Sequence, residues 1–446
     1  MSPEEYGRLS VLLAVFAVVA VIMAAGLDYG VFRQYFQLES EPDQRHMVVQ
    51  SSWRLSAVAA LALAAVAAAV IFLAAEAGLI TRPAEKALVF LAAALMVSAT
   101  TVPFTVLRAE QRLKPFIALS LTSAIGMGGF TFLLVVVLHL GVIGWLCALN
   151  ATNLCVLFGA FLVVPWHPRS GYQTKVVIPA LKLGFTLLPS FVAHWALQVA
   201  DRLLLAVLVT GSALGRYSLA SNIAFPVFIV LSSINQGFMP SYARNKGTDE
   251  QQRAARRASI TQVACVCLVG CAASLLGPCV VTIGAPAEYA QSAQLVPWIV
   301  LGFCFLGLYY IPMNVASLTA GRAGFVWIIT SVSAILNLAL IYALVPIYGL
   351  IAAAVAAAVG YLALLVGVSY YVFRMGLSVQ IPVIQSAVTI GVALLTYAGA
   401  VTTVESTDVA GMALRSLWLI APALALCSAL GLFDRAGSGS SALARD

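Results

Sequence analysis

Apolar runs of about 20 residues recur from one end of this chain to the other, each long enough to cross a hydrocarbon layer of roughly 30 Å as a helix. A chain of 446 residues that is 62% hydrophobic and only 9% charged, with mean hydropathy +1.00, has lipid rather than water as its solvent. Segments of alternating polarity, which a transmembrane barrel requires, are absent from the sequence. The expected fold is therefore an all-α polytopic membrane protein. The runs place thirteen spans near 6–26, 53–75, 86–107, 115–138, 142–164, 182–208, 216–238, 259–283, 293–317, 324–345, 350–373, 383–403 and 411–432. The Gly/Ser-rich tail, 433–446, is expected to be disordered.

Charge orients these spans. Of the 24 Lys and Arg residues, Arg8, Arg82, Lys86, Arg216 and Arg415 fall on one set of alternate loops and flanks, and Arg202 lies inside a span. All the others, among them Arg33, Arg45, Arg54, Arg108, Arg112, Arg253, Arg256 and Arg257, fall on the opposite set. The positive-inside rule makes that richer set cytoplasmic, with the C-terminus inside and Met1 outside. A net charge of +7 is thus topological decoration and does not call for nucleic acid. All eight cysteines lie within predicted spans, and their spacing makes no metal set; they read as small apolar filler. No cofactor is expected.

The chain repeats itself at an offset of about 208 residues. Gly7-Arg8-Leu9-Ser10 answers Gly215-Arg216-Tyr217-Ser218, Pro103 answers Pro312, Phe116 answers Phe325, and Gly141 with Ile143 answers Gly349 with Ile351. A repeat of six helices enters the membrane twice in the same orientation, giving two pseudo-symmetric six-helix lobes that face one another, as in alternating-access carriers. The expected lobes are 1–165, with five spans, and 166–375, with six; two extra C-terminal spans occupy 376–432. The first lobe lacks its leading helix. Gly7 pairs with Gly215, and span 182–208 precedes Gly215, so its counterpart falls before Met1. The repeat therefore predicts an in-frame apolar stretch of roughly 20 codons upstream of Met1 in the source DNA.

Nucleotide-binding and hydrolytic motifs are absent from the sequence, and no external loop exceeds about a dozen residues, which argues against a membrane enzyme needing a large external catalytic loop. Polar residues inside spans are the remaining candidates. In 182–208, His194, Gln198 and Asp201 share one stripe, with Arg202 adjacent. A charge at membrane depth costs about 2.5–3.5 kcal/mol on insertion scales, so Asp201 and Arg202 should face a cavity or a partner. The alternative is a salt bridge that fixes the packing of that helix. In the next span, Asn222 shares a stripe with Phe225, Ile229 and Ser233, and Asn235 and Gln236 follow; helix–helix hydrogen bonding is an equally physical use for these amides. Asp28 and Arg33 sit in a charged and aromatic segment after the first span. Arg33 and Arg54 offer planar forks suited to a diphosphate, or serve as ordinary positive-inside residues.

Several segments form one further pattern: Ser2-Pro3-Glu4-Glu5-Tyr6-Gly7, Gly26-Leu27-Asp28 with Arg33, and Asp201-Arg202-Leu203-Leu204-Leu205 running to Gly215-Arg216-Tyr217-Ser218-Leu219-Ala220. Asn235-Gln236-Gly237-Phe238-Met239-Pro240 and Pro346-Ile347-Tyr348-Gly349-Leu350 complete it. The resemblance they carry is to the polysaccharide transporter (Wzx-like) family of the multidrug/oligosaccharidyl-lipid/polysaccharide flippase superfamily. It implies two six-helix bundles around a central, often cationic cavity, and transport of an undecaprenyl-diphosphate-linked oligosaccharide across a bacterial inner membrane, driven by an ion gradient or membrane potential without covalent chemistry. Implied partners are that lipid-linked substrate, membrane lipids and other polysaccharide-assembly proteins. Arg202 is the one deep basic residue in the spans, fewer than the cationic pattern of the family. A drug/cation antiporter of the same superfamily, a lipid II flippase and, from another class, a polytopic glycosyltransferase or ligase are the alternatives.

Overall fold

The computed structural model describes residues 1–38, 41–164, 174–243, 248–319, 325–377, 383–404 and 406–429. The tail expected from 433 lies outside them. Among the described residues, fifteen α-helices follow in order: α1 (Pro3–Ala24), α2 (Leu27–Gln37), α3 (Pro42–Glu76), α4 (Pro83–Ala109), α5 (Leu113–Thr131), α6 (Gly141–Val163), α7 (Thr174–Leu208) and α8 (Gly211–Ala243). Then come α9 (Asp249–Gly284), α10 (Val296–Asn314), α11 (Val326–Tyr348), α12 (Leu350–Arg374), α13 (Val383–Thr403), α14 (Val409–Leu417) and α15 (Ile420–Ala429). A π-helical turn, Phe132–Val137, continues α5, and another, Val315–Thr319, continues α10. The described residues contain no strand, and twelve of their helical segments are long and apolar enough to cross a membrane.

Local chemistry sets the helix ends. Ser2 and Glu5 form a reciprocal capping box at the start of α1, with Pro3 in the first turn. Ala25 and Gly26 both take left-handed conformations, φ 48° and 64°, which ends α1 and restarts the chain as α2. The first expected span thus continues, after a break, into a second short helix. Gly141 and Gly349, paired by the repeat, both have positive φ at the starts of α6 and α12.

The thirteenth expected span, 411–432, is corrected. It divides into α14 and α15 around Trp418 and Leu419, and 430–432 lie outside the described residues. The cause is Pro422, which has no N–H to give the Trp418 carbonyl and so suits the first turn of a new helix rather than the middle of an old one.

The chain divides into two compact units, Met1–Leu203 and Leu204–Asp446, and the division falls inside α7. In the first unit α4 packs against α1, α3 and α6, and α5 packs against α6; in the second α10 packs against α8, α9 and α12, and α11 against α12. The same partnerships therefore recur in repeat order, with α4 and α10 as the central helices. Each carries its proline, Pro103 or Pro312, in the interior. The first unit's core contains an alanine-lined contact among α1, α3 and α4, made by Ala20, Ala60, Ala64, Ala93 and Ala94. Beside it, Trp53 is buried and donates its indole N–H to the Ser98 carbonyl at 2.8 Å. In the second unit, α13, α14 and α15 all pack on α9.

Candidate functional site

Within the first unit, the polar stripe of α7 has the geometry of a helix surface. His194 and Gln198, one turn apart, bring their Nε2 atoms to 2.9 Å. The amide can only donate there, so the ring accepts on Nε2 and carries its proton on Nδ1. One turn further on, Asp201 is buried, at 7% exposure, and its Oδ1 accepts the backbone N–H of Arg202 at 2.7 Å. Arg202 is half-buried. An imidazole–amide pair and a buried carboxylate bonded to the next residue's backbone N–H thus follow one another along one helix.

The earlier part of α7 meets α2 at backbone distance. A Cβ at Gly26 would lie 2.9 Å from the Gly184 Cα and carbonyl oxygen, one at Gly30 would collide with the Ala180 carbonyl, and one at Gly184 with the Ala25 carbonyl. Small residues one turn apart on each helix, Gly26 and Gly30 against Ala180 and Gly184, permit this crossing. Tyr29 then stacks beside Phe191, ring centroids 5.2 Å apart. Asp28, the residue before Tyr29, is half-buried. Arg33 is exposed on α2. The Tyr29–Phe191 contact sets the segment carrying Asp28 against α7, three residues before His194.

The end of α2 carries a cluster that sequence reasoning did not assemble. Tyr35 donates its hydroxyl to Glu110 Oε1 at 3.1 Å, Arg112 pairs with Glu110 at 3.3 Å, and the Arg45 guanidinium lies 4.5 Å from the centre of the Tyr35 ring.

In the second unit, Asn235 is buried and its Oδ1 accepts from Asn314 at 2.7 Å and from Gln262 at 3.3 Å. Gln262 also donates to the Gly307 carbonyl at 3.4 Å. The Tyr242 hydroxyl lies 3.0 Å from Ser259 Oγ and 3.5 Å from Gln262 Oε1, and Thr319 donates to the Tyr242 carbonyl at 3.0 Å. Burial pushes the Tyr242 hydroxyl above its ordinary pKa, which keeps its proton in the network. These bonds link α8, α9 and α10, so Asn235 is a brace between helices. Asn222 and Gln236 are exposed on α8, and Asn222 shares its exposed stripe with Phe225, Ile229 and Ser233.

The repeat was the signal that could have found the missed residues. An offset near 208 aligns Tyr35 with the Tyr242–Ala243 step and Glu110 with the Leu318–Thr319 step. In both units the first repeat helix is tied through its tyrosine to the end of the third. The opposite ends carry matching ties: Arg8 pairs with Glu85 at 3.3 Å, while Arg216 donates to the Glu288 carbonyl at 3.1 Å and to Gln291 Oε1 at 2.6 Å.

Twelve apolar helices among the described residues and an internal repeat define a multi-pass membrane protein with the fold of the multidrug/oligosaccharidyl-lipid/polysaccharide flippases. The chain superposes on the inward closed lipid II flippase MurJ with TM-score 0.70 and 14% identity, covering 97% of each chain. It superposes on a mutant form of the Vibrio cholerae MATE transporter VcmN with TM-score 0.52 and 14% identity, over 85% of this chain and 96% of that one. For the eukaryotic MATE transporter AtDTX14 the TM-score is 0.53 at 14% identity, over 83% and 86%. Residues 1–283 match the family described as polysaccharide biosynthesis protein, and the chain belongs to that family. No curated protein sequence matches it.

Proposed function

We propose that this protein is a flippase that moves an undecaprenyl-diphosphate-linked oligosaccharide across a bacterial inner membrane, with its arginine-rich loops and C-terminus in the cytoplasm. The observation that carries the reading is a polysaccharide-biosynthesis sequence on a flippase fold. A fold of this kind does its work by relocating cargo, and no covalent step is needed. The polar stripe of α7, His194, Gln198, Asp201 and Arg202, with Asp28 beyond Phe191, is the surface we assign to the sugar and diphosphate. A guanidinium there gives a phosphate oxygen a permanently charged partner, while the lipid tail remains in the bilayer. Deletion of the gene should cause the lipid-linked oligosaccharide to accumulate on the cytoplasmic leaflet, with its sugar identified by mass spectrometry. Unchanged leaflet distribution would overturn the reading, and product formation by the purified chain would make it an enzyme.

A second reading takes lipid II as the cargo, favoured by the extent of the superposition on MurJ. The same experiment separates the two, because the accumulating lipid would then carry the peptidoglycan disaccharide. Altered drug susceptibility without any accumulating lipid would instead favour a drug/cation antiporter.

A further inference from the structure

We infer that the exposed arginine face at the start of α9, formed by Arg253, Arg256 and Arg257, is a docking surface for anionic phospholipid headgroups. The length of α9 is the first observation. Its 36 residues extend about 54 Å, well beyond a hydrocarbon core of roughly 30 Å. Its apolar stretch begins near Ser259, so Arg257 and Arg253 stand roughly 3 and 9 Å before the core, at headgroup depth. The second observation is the face itself. Spacing of three and four residues puts the arginines on one side, all exposed, while Ala255, Ala258, Ser259 and Gln262 on the other side are buried. Among the described residues none of the three arginines has an ion pair or hydrogen bond.

The repeat supplies the contrast. Arg45, at the position in α3 that answers Arg253, is turned inward over the Tyr35 ring. The first unit thus uses its arginine internally, and the second presents three outward. A fixed row of guanidinium groups at headgroup depth complements phosphodiester charge, worth roughly fivefold in lipid preference per arginine near an anionic surface. The inference is independent of which cargo the protein carries.

The test uses the full chain in phosphatidylcholine nanodiscs titrated with phosphatidylglycerol, with co-purifying lipid quantified by mass spectrometry. Wild type should retain phosphatidylglycerol over phosphatidylcholine, and R253Q/R256Q/R257Q should lose that preference. The charge-conserving R253K/R256K/R257K should keep most of it, and Glu250→Gln, which leaves all three arginines in place, should raise it. Equal retention by wild type and the glutamine variant would overturn the proposal. So would displacement of the bound lipid by inorganic diphosphate, which would mark the face as a substrate headgroup site. If the glutamine variant does not fold, an unchanged preference in Glu250→Gln would overturn the proposal by itself.

Discussion

A side-chain amide at membrane depth has no water to fall back on, so its partners decide whether it braces helices or greets a ligand. Asn235 has its acceptor oxygen occupied by both Asn314 and Gln262. Asn235→Leu would strand two buried amide donors at once, at about 1–3 kcal/mol each. The expected result is a lower unfolding temperature in detergent, with transport falling only as far as the amount of folded protein falls. Lost transport at unchanged stability would move Asn235 from brace to binding site. Arg202 should behave in the opposite way. A charge at this depth is retained where it meets cargo or a partner group. Arg202→Ala should therefore abolish export at normal protein abundance; reduced abundance with unchanged activity per molecule would make the arginine structural. The sequence located both residues by polarity and depth. It did not reveal that Asn235 meets residues 27 and 79 positions away, because pairing across helices leaves no local period.

Among the helices, the most constrained junction is the crossing of α2 on α7. The break at Ala25–Gly26 has no counterpart in α8, which runs unbroken from Gly211 to Ala243. At the repeat-equivalent place, then, the first unit has a bend and the second a rod. Gly30 and Gly184 let the two backbones touch. Gly30→Leu must push α2 off α7 and separate Tyr29 from Phe191, at a cost of about 1–3 kcal/mol for overpacking; loss of thermal stability should accompany loss of export. An unchanged unfolding temperature would show that α2 is not anchored there. The spans were legible because apolar length is a local property, whereas α2 was not, since its mixed sequence has neither a long apolar run nor a strong cap. The α14–α15 break is hidden for a related reason: the run from 411 is apolar enough to span, and a single proline, Pro422, does not interrupt that apolar length. Arg415 at this break is buried and donates to the Leu275 and Val404 carbonyls, bracing α9 against the end of α13.

At the scale of the whole molecule, the basic residues divide by helix ends. Arg8, Arg82 and Arg216 lie at the ends where Glu85, Glu288 and Gln291 bind them, and Arg45, Arg108, Arg112, Arg253, Arg256 and Arg257 lie at the opposite ends of their helices. The first group is tied down locally, Arg8 and Arg82 by the Glu85 carboxylate and Arg216 by neutral oxygen acceptors. The second group leaves three arginines of α9 unpaired among the described residues. Such an imbalance resists translocation of the richer side, which is therefore expected in the cytoplasm. α9 offers a decisive pair of positions because one helix carries both ends. Glu250, in its first turn, and Glu288, in the turn that follows it, are both exposed and separated by the full length of the span. Single cysteines at the two places should therefore differ in intact cells. Glu288→Cys should react with a membrane-impermeant maleimide, and Glu250→Cys should react only after the membrane is permeabilised. The reverse labelling would invert the topology and, with it, the side from which the cargo must enter.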